Sequence, residues 1–454
     1  MSTTGTPSTG RPAPAAPPPL VPDSARPAVS RARYGLLTSL FIITAINYLD
    51  RTNLSVALPH IKDDLHLTAT QQGILLSSFG WAYLLLQIPT GRLIDKVGAK
   101  LAFGYALIGW SLATAAVVLS RGFGSLVGIR VALGAFEAPA FPSNNRLVVN
   151  WFPGNERGRA TATYTSGEYI GLAIAAPVLS LLTVHFGWRS VFLVTGAIGL
   201  LFSVVWFRRV YDRPEQSPKV STRELAHIQQ ADEREPADAA EKAAEAELSH
   251  LRADLRVLFT NKRLWGMYIG QFASASVLFF FLTWFPSYLV EEKGMSIIKA
   301  GFWASAPYLA ALVGTLAGGA WSDRMLNNGR SRTVARKLPV MIGFVLASII
   351  VCANFTDSAP LVITFMSIAF FAQGLMQNSW ALFADAVPRR LTGTGGGVFN
   401  FMANAGGVLT PLVIGFIVDA TGSFAWALGY IGIVVAVGLV AYALLIDKVE
   451  RIEA

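Results

Sequence analysis

The chain has 454 residues, of which 53% are hydrophobic and only 14% charged, with a mean hydropathy of +0.48. Soluble domains carry about 25% charged residues, so this composition excludes a soluble enzyme or binding module and points to a membrane. The net charge of +9 would suit nucleic acid, but the basic residues sit where connections on one side of a membrane would hold them.

Residues 1–33 are rich in Pro, Ala, Ser and Thr, cannot bury a core, and are expected to form a disordered tail rather than a signal peptide, because an apolar stretch begins only after Arg31 and Arg33. Apolar runs then recur from Tyr34 to Ile446, and Leu101–Leu119, Leu181–Phe207 and Trp426–Ile446 are close to or beyond the length needed to cross a bilayer, about 20 helical residues. The runs are continuous rather than alternating, which selects helices over a barrel. Twelve spans are predicted at 35–58, 71–90, 101–120, 124–147, 160–183, 188–209, 264–290, 299–321, 338–356, 360–385, 393–418 and 424–446. The expected organisation is an N-terminal six-helix bundle over 34–209, a linker over 210–262 with a solvated helix at Ala237–Leu248, a C-terminal six-helix bundle over 263–446, and a tail over 447–454.

One set of connections holds Arg92, Lys96, Lys100, Arg157, Arg159, Arg324, Arg330, Arg332, Arg336, Lys337, Arg389 and Arg390, against Lys62, Arg121, Arg189, Lys293 and Lys299 on the other. The positive-inside bias therefore predicts both termini in the cytoplasm, with the chain crossing the membrane many times. A single cysteine, Cys352, rules out an intramolecular disulfide.

The two halves echo each other. Gly91-Arg92-Leu93-Ile94-Asp95-Lys96 follows the second span and Gly319-Ala320-Trp321-Ser322-Asp323-Arg324 follows the eighth, both reading Gly-x-x-x-Asp-basic, and a Pro/Arg/Gly turn recurs at 153–158 and 388–393. The loop Gly91–Lys100 and its partial copy resemble the signature of the major facilitator superfamily over residues 34–446. Within it, Asn47-Tyr48-Leu49-Asp50-Arg51-Thr52-Asn53 and the string from Arg130 through Glu137 to Pro142 are similar to the anion:cation symporter family, as are Phe281–Pro286 and Gly397–Phe401. That family includes carriers of galactonate, glucarate and hexuronates, and the vesicular glutamate and sialic acid carriers. The resemblance implies an all-α fold of two six-helix bundles rocking about a midplane site, with protons as the coupling ion, no other cofactor, and a monomeric chain.

Charges inside spans each cost on the order of 2.5–3.5 kcal/mol at mid-membrane, so those present mark the site. Five stand out, all in the N-terminal half: Asp50, Arg51, Arg130, Glu137 and Glu168. Arg130 and Glu137 share a helix face about two turns apart, too far to pair, and require partners from another helix. Arg51 has the planar fork for a carboxylate, and Tyr83 is placed to assist by the resemblance. Asp50 and Glu137 are the expected proton-linked pair. At the place of Glu168 the similar sugar-acid carriers often show Gln, which leaves its role open between substrate contact and proton count.

The C-terminal half offers neutral groups instead: Gln271, Gln373, Gln377, Asn378, Trp380, Asn400 and Asn404. A cationic wall facing amides and an indole suits an organic anion bearing a carboxylate and hydroxyls, while helix-to-helix glue is the plainer role for any single amide. Asp95 with Arg157 or Arg159, and Asp323 with Arg389 or Arg390, are the expected gating pairs. No ATP-binding loop or metal-ligand spacing is present. The set of Arg51, Arg130, Asp50 and Glu137 facing a polar, aromatic half, with the resemblance, implies proton-coupled symport of a sugar acid as the expected function. An aromatic or dicarboxylic acid carrier is the alternative and a non-transporting sensor a weaker one; nucleic acid is not expected as a partner.

Overall fold

Twelve spans cross the computed structural model, which describes residues 30–229, 256–388 and 391–452. In order they are Ala32–Leu65, Ala69–Val97, Ala99–Leu119, Phe123–Trp151, Gly154–Phe186, Trp188–Arg209, Lys262–Thr283, Ile297–Asn327, Arg332–Phe355, Ala359–Ala386, Thr392–Thr421 and Phe424–Leu445. The second is bent by 56° between Gln87 and Pro89, where the proline removes the N–H that would bond Leu85. Sequence boundaries for the first and fifth fell short because these helices extend past the apolar core by polar turns. The residues Ala237–Leu248, expected to be helical, lie outside the described residues.

Packing repeats between the halves. Spans one and five, one and six, two and four, three and four, and three and six pack together, and so do seven and eleven, seven and twelve, eight and ten, nine and ten, and nine and twelve. Adding six to each member of the first set yields the second. Two long contacts join the bundles, the second span along the eleventh and the fifth along the eighth, and the same shift exchanges them. Large apolar side chains such as Leu85, Phe186, Leu201, Phe355 and Leu444 remain exposed on the outside of the bundles, a collar that lipid would cover.

Two spans pause in equivalent places. The fourth breaks after Glu137 and restarts at Ala140, because Pro139 has no N–H for the carbonyl of Ala135. The tenth breaks between Met376 and Ser379, where the Asn378 amide donates to the Leu375 carbonyl at 2.9 Å and competes with the helix ladder. These breaks put Glu137 and Gln377 at helix ends rather than mid-helix.

Span five lies against span one with almost no side chain between them. A Cβ on Gly167 would stand 2.6 Å from the Phe41 carbonyl oxygen, and one on Gly171 2.5 Å from that of Ala45, so only glycine permits the approach that sets Glu168 beside the first span.

Because twelve spans begin and end on one face, the bundles have a terminal side and a far side. Several ties between them lie at the far side or mid-depth: the Lys62–Glu291 ion pair, Thr70 Oγ1 donating to Asp419 at 2.6 Å, Ser305 Oγ donating to the Ala173 carbonyl at 2.7 Å, and Tyr169 donating to Gln373 at 3.2 Å. Asn400 donates to Gln87 at 3.0 Å nearer the terminal side. Gly73 and Gly415 meet so closely that a Cβ on Gly415 would stand 2.8 Å from the Gly73 Cα. The far side is closed by these contacts.

Candidate functional site

Adjacent residues on a helix diverge by about 100°, and at the middle of the first span this separates two charges. Asp50 turns into the N-terminal bundle, where it is 1% exposed and accepts from the Trp110 indole at 3.1 Å and the Asn53 amide at 3.2 Å; Asn53 in turn donates to Thr195 at 2.7 Å. Arg51 turns toward the fourth span, and its Nε donates to Glu137 Oε1 at 2.6 Å. The partner that Glu137 required from another helix is therefore Arg51.

Three aromatic rings, Tyr48, Phe79 and Tyr83, hold the Arg51 guanidinium, with Cζ 5.0 Å from each centroid. Arg130 lies against the same Phe79 ring at 5.2 Å, so both cations share one end of the site. Rings at this distance stabilise a desolvated guanidinium by cation–π attraction. Arg51 Nη2 and Arg130 Nε are buried without a hydrogen-bond partner, a costly state for charged donors that an anionic ligand would relieve. Tyr83, expected to bond the substrate, is packed by its ring against Arg51 and stacked on Phe79 at 5.3 Å.

Glu168, on the fifth span, faces the Tyr48 hydroxyl and lies within electrostatic reach of Arg51. Its Oε1 is buried without a partner.

The C-terminal half contributes amides in several roles. Gln271 accepts from Ser379 Oγ at 2.9 Å and so ties spans seven and ten, the plainer of the roles expected for it. Gln373 is fully buried and takes the Tyr169 hydroxyl. The tenth span breaks at Gln377, so Gln373 and Trp380 lie on separate helical segments. Trp380, 40% exposed, instead stands edge-on to Phe399 at 4.8 Å. Asn400 bridges to Gln87, while Asn404 donates to the Asn400 carbonyl at 2.9 Å.

Of the expected gating pairs, the one at Asp95 takes another partner. Asp95 pairs with Arg146 at 3.5 Å, both well exposed, whereas Arg157 donates to the Phe152 and Val149 carbonyls, capping the carbonyl end of the preceding helix. Asp323 pairs with Arg336 at 3.1 Å, and Arg336 also takes Asp385 at 3.0 Å. Arg389 and Arg390 lie outside the described residues. Trp110 and Phe79 carry these contacts yet drew no notice in the sequence, since aromatic residues in apolar helices look like core, and Arg146, a charge near the end of a predicted span, was not singled out either.

The family model described as Major Facilitator Superfamily matches residues 40–411. The chain belongs to the major facilitator superfamily. It is a membrane transporter and not an enzyme, with the all-α fold read from its sequence. It is 41% identical to the D-galactonate transporter of Escherichia coli O6:H1, covering 95% of this chain and 99% of that one. It is 40% identical to the probable galactarate/D-glucarate transporter GudP of Bacillus subtilis, over 92% of this chain and 93% of the relative. Among solved structures it resembles a bacterial homolog of the human lysosomal transporter Spinster in an inward-facing, occupied conformation, with a TM-score of 0.74 at 18% identity over 94% of this chain and 100% of the other. That last likeness concerns the fold alone.

Proposed function

We infer that the chain carries a sugar acid of the galactonate or galactarate/glucarate class across a bacterial inner membrane by alternating access, in symport with protons and with both termini in the cytoplasm. The observation that carries the reading is the buried Arg51–Glu137 pair at 2.6 Å beside Arg130, in a chain about 40% identical to two sugar-acid transporters over nearly their full lengths. Both bundles of the site come from one polypeptide, so a monomer suffices.

The coupling follows from competition for one guanidinium. A substrate carboxylate that takes the Arg51 fork displaces Glu137, which is 0% exposed. An isolated buried carboxylate is costly, and a proton removes the cost. Substrate and proton are then loaded together, and release of one favours release of the other. Asp50, held by Trp110 and Asn53 within the same bundle, is the second proton-linked group. Asp95 and Asp323, with Arg146 and Arg336, are the charges that adjust at the terminal side as the bundles rock.

Uptake of labelled galactonate, glucarate, phthalate and tartrate into proteoliposomes, with and without an inward proton gradient, tests the reading. Gradient-driven accumulation of a sugar acid is expected, and accumulation of phthalate or tartrate alone would sink it. In Glu137→Gln, which mimics the protonated side chain, exchange of internal for external substrate should persist while net accumulation is lost. Full accumulation by that variant would move coupling to Asp50 or Glu168.

A further inference from the structure

We propose that Glu168 is a further proton-carrying group of the site, ionised in the empty carrier and protonated when substrate binds, so that each turnover moves one proton more than a neutral residue there would allow. This rests on the proton-coupled sugar-acid reading above. That reading gives tasks to Glu137 and Asp50 and leaves the Glu168 carboxyl without one.

The two carboxyls near Arg51 depend on it unequally. Glu137 lies under two cations, because its Oε1 takes the Arg51 Nε at 2.6 Å and Arg130 also acts on it. Glu168 is reached by Arg51 and by no second cation among the described residues. It enters from the fifth span, brought against the first by the Gly167 and Gly171 contacts, and faces the hydroxyl of Tyr48, whose ring carries the Arg51 guanidinium at 5.0 Å. Its Oε1 is buried without a donor, so Tyr48 and Arg51 are its support. The other elements packed on the fifth span add no charge at this depth. The sixth and eighth spans carry theirs near their ends, Tyr308 of the eighth donates to the Phe281 carbonyl at 2.8 Å, and Arg146 of the fourth pairs with Asp95.

A substrate carboxylate that takes the Arg51 fork therefore does more than displace Glu137. It neutralises the cation that favours the ionised Glu168 and sets a like charge beside it. A buried carboxylate without a counter-charge is costly, and a proton taken from water on the side of entry removes that cost. When the substrate leaves on the other side, Arg51 is freed, Glu168 ionises, and its proton passes to water there. Tyr169, the next residue, donates across the bundle boundary to Gln373 at 3.2 Å, so the fifth span at this depth borders the surface along which the halves rock. A neutral side chain at position 168 would still leave Glu137 to take Arg51 in the empty carrier. The cycle would then run with one proton fewer.

Steady-state accumulation of labelled galactonate in proteoliposomes counts the protons when the membrane potential is clamped at zero and an inward pH gradient of about one unit is imposed. Each coupled proton then multiplies the accumulation by about ten. Glu168→Gln is expected to transport with a limit about tenfold below that of the wild type, and Glu168→Asp, which keeps a titrating carboxyl, to return toward the wild-type limit. Proton uptake on galactonate binding to the purified full-length protein, measured by calorimetry in two buffers of different ionisation enthalpy, should fall by about one per site in Glu168→Gln. That second measurement decides the matter where the glutamine variant binds without transporting. An unchanged proton uptake, or an unchanged accumulation limit, in Glu168→Gln would overturn the inference while leaving sugar-acid symport standing. Loss of galactonate binding in Glu168→Gln alone would overturn it too, by showing that the substrate needs the ionised group. Failure of the wild type to bind or accumulate either galactonate or glucarate would instead strike the sugar-acid reading, and this inference with it.

Discussion

At the residue scale, Arg51 does three things that a lysine cannot do together. It gives Nε to Glu137, keeps a further N–H buried without a partner, and lies flat against three rings. A planar guanidinium offers a fork of two N–H groups that a carboxylate can take at once, whereas an ammonium is a point charge that stacks poorly. Arg51→Lys is therefore expected to lower substrate affinity by at least about tenfold, the worth of roughly one charged hydrogen bond, while the protein remains monodisperse in detergent. Wild-type affinity in the lysine variant, measured by titration calorimetry, would remove the carboxylate-clamp role.

At the element scale, the start of the first span shows how a linker far away in sequence completes a helix. The first N–H groups of any helix lack partners inside it. Here Glu224, on the short helix Thr222–Gln229, accepts from the Ala32 and Arg33 backbone N–H groups at 3.1 and 3.2 Å and from the Arg33 guanidinium at 3.2 Å, as well as from Ser30 Oγ. Glu224 is fully buried, and Arg33 also reaches Glu156 at the start of the fifth span, 3.1 Å away. A negative charge at a helix N-terminus is favourable, and a buried pair is costly to break from one side. Glu224→Ala leaves the Arg33 guanidinium with Glu156 alone and two backbone N–H groups without an acceptor, and should cost roughly 1–3 kcal/mol of stability, seen as a drop of a few degrees in thermal unfolding in detergent. Glu224→Gln, which keeps an acceptor, should fall between. An unchanged midpoint in the alanine variant would show that the linker helix does not brace the bundle.

At the scale of the whole molecule, two bundles with matching internal packing meet along the second and eleventh spans and along the fifth and eighth. Rocking between them requires that the far side open and close, and its closed form depends on surfaces without side chains. A Cβ on Gly415 would stand 2.7 Å from the Ala69 carbonyl oxygen and 3.1 Å from the Gly73 nitrogen, all backbone atoms that cannot rotate away. Gly415→Leu should therefore wedge the far side open and trap the carrier. With Cys352→Ser as background and a reporter at Ala176→Cys, which is buried against the eighth span, maleimide labelling should accelerate at least about fivefold and uptake should fail; a population shift of that size is modest for a two-state carrier. Labelling at the parental rate would show that the glycine contact does not govern closure.

The membrane class, the span count, the two-fold repeat and the short roster of intramembrane charges were all legible in the sequence, because each is a local property that lipid imposes on every helix separately. The divergence of Asp50 and Arg51 was legible too, since it follows from helical geometry alone. Which partner each charge takes was not. Arg51 meets Glu137 because the fourth span stops at Pro139, Asp95 meets Arg146 rather than a loop arginine, and Asp323 meets Arg336, for reasons of helix rotation and approach that no spacing along one chain contains. A rotation of one residue, about 100°, would give every one of these groups a different neighbour. Only packing decides that angle, through contacts such as Gly167 on Phe41 and Gly415 on Gly73, where backbone meets backbone and the separation of helices is set by the side chain that is absent.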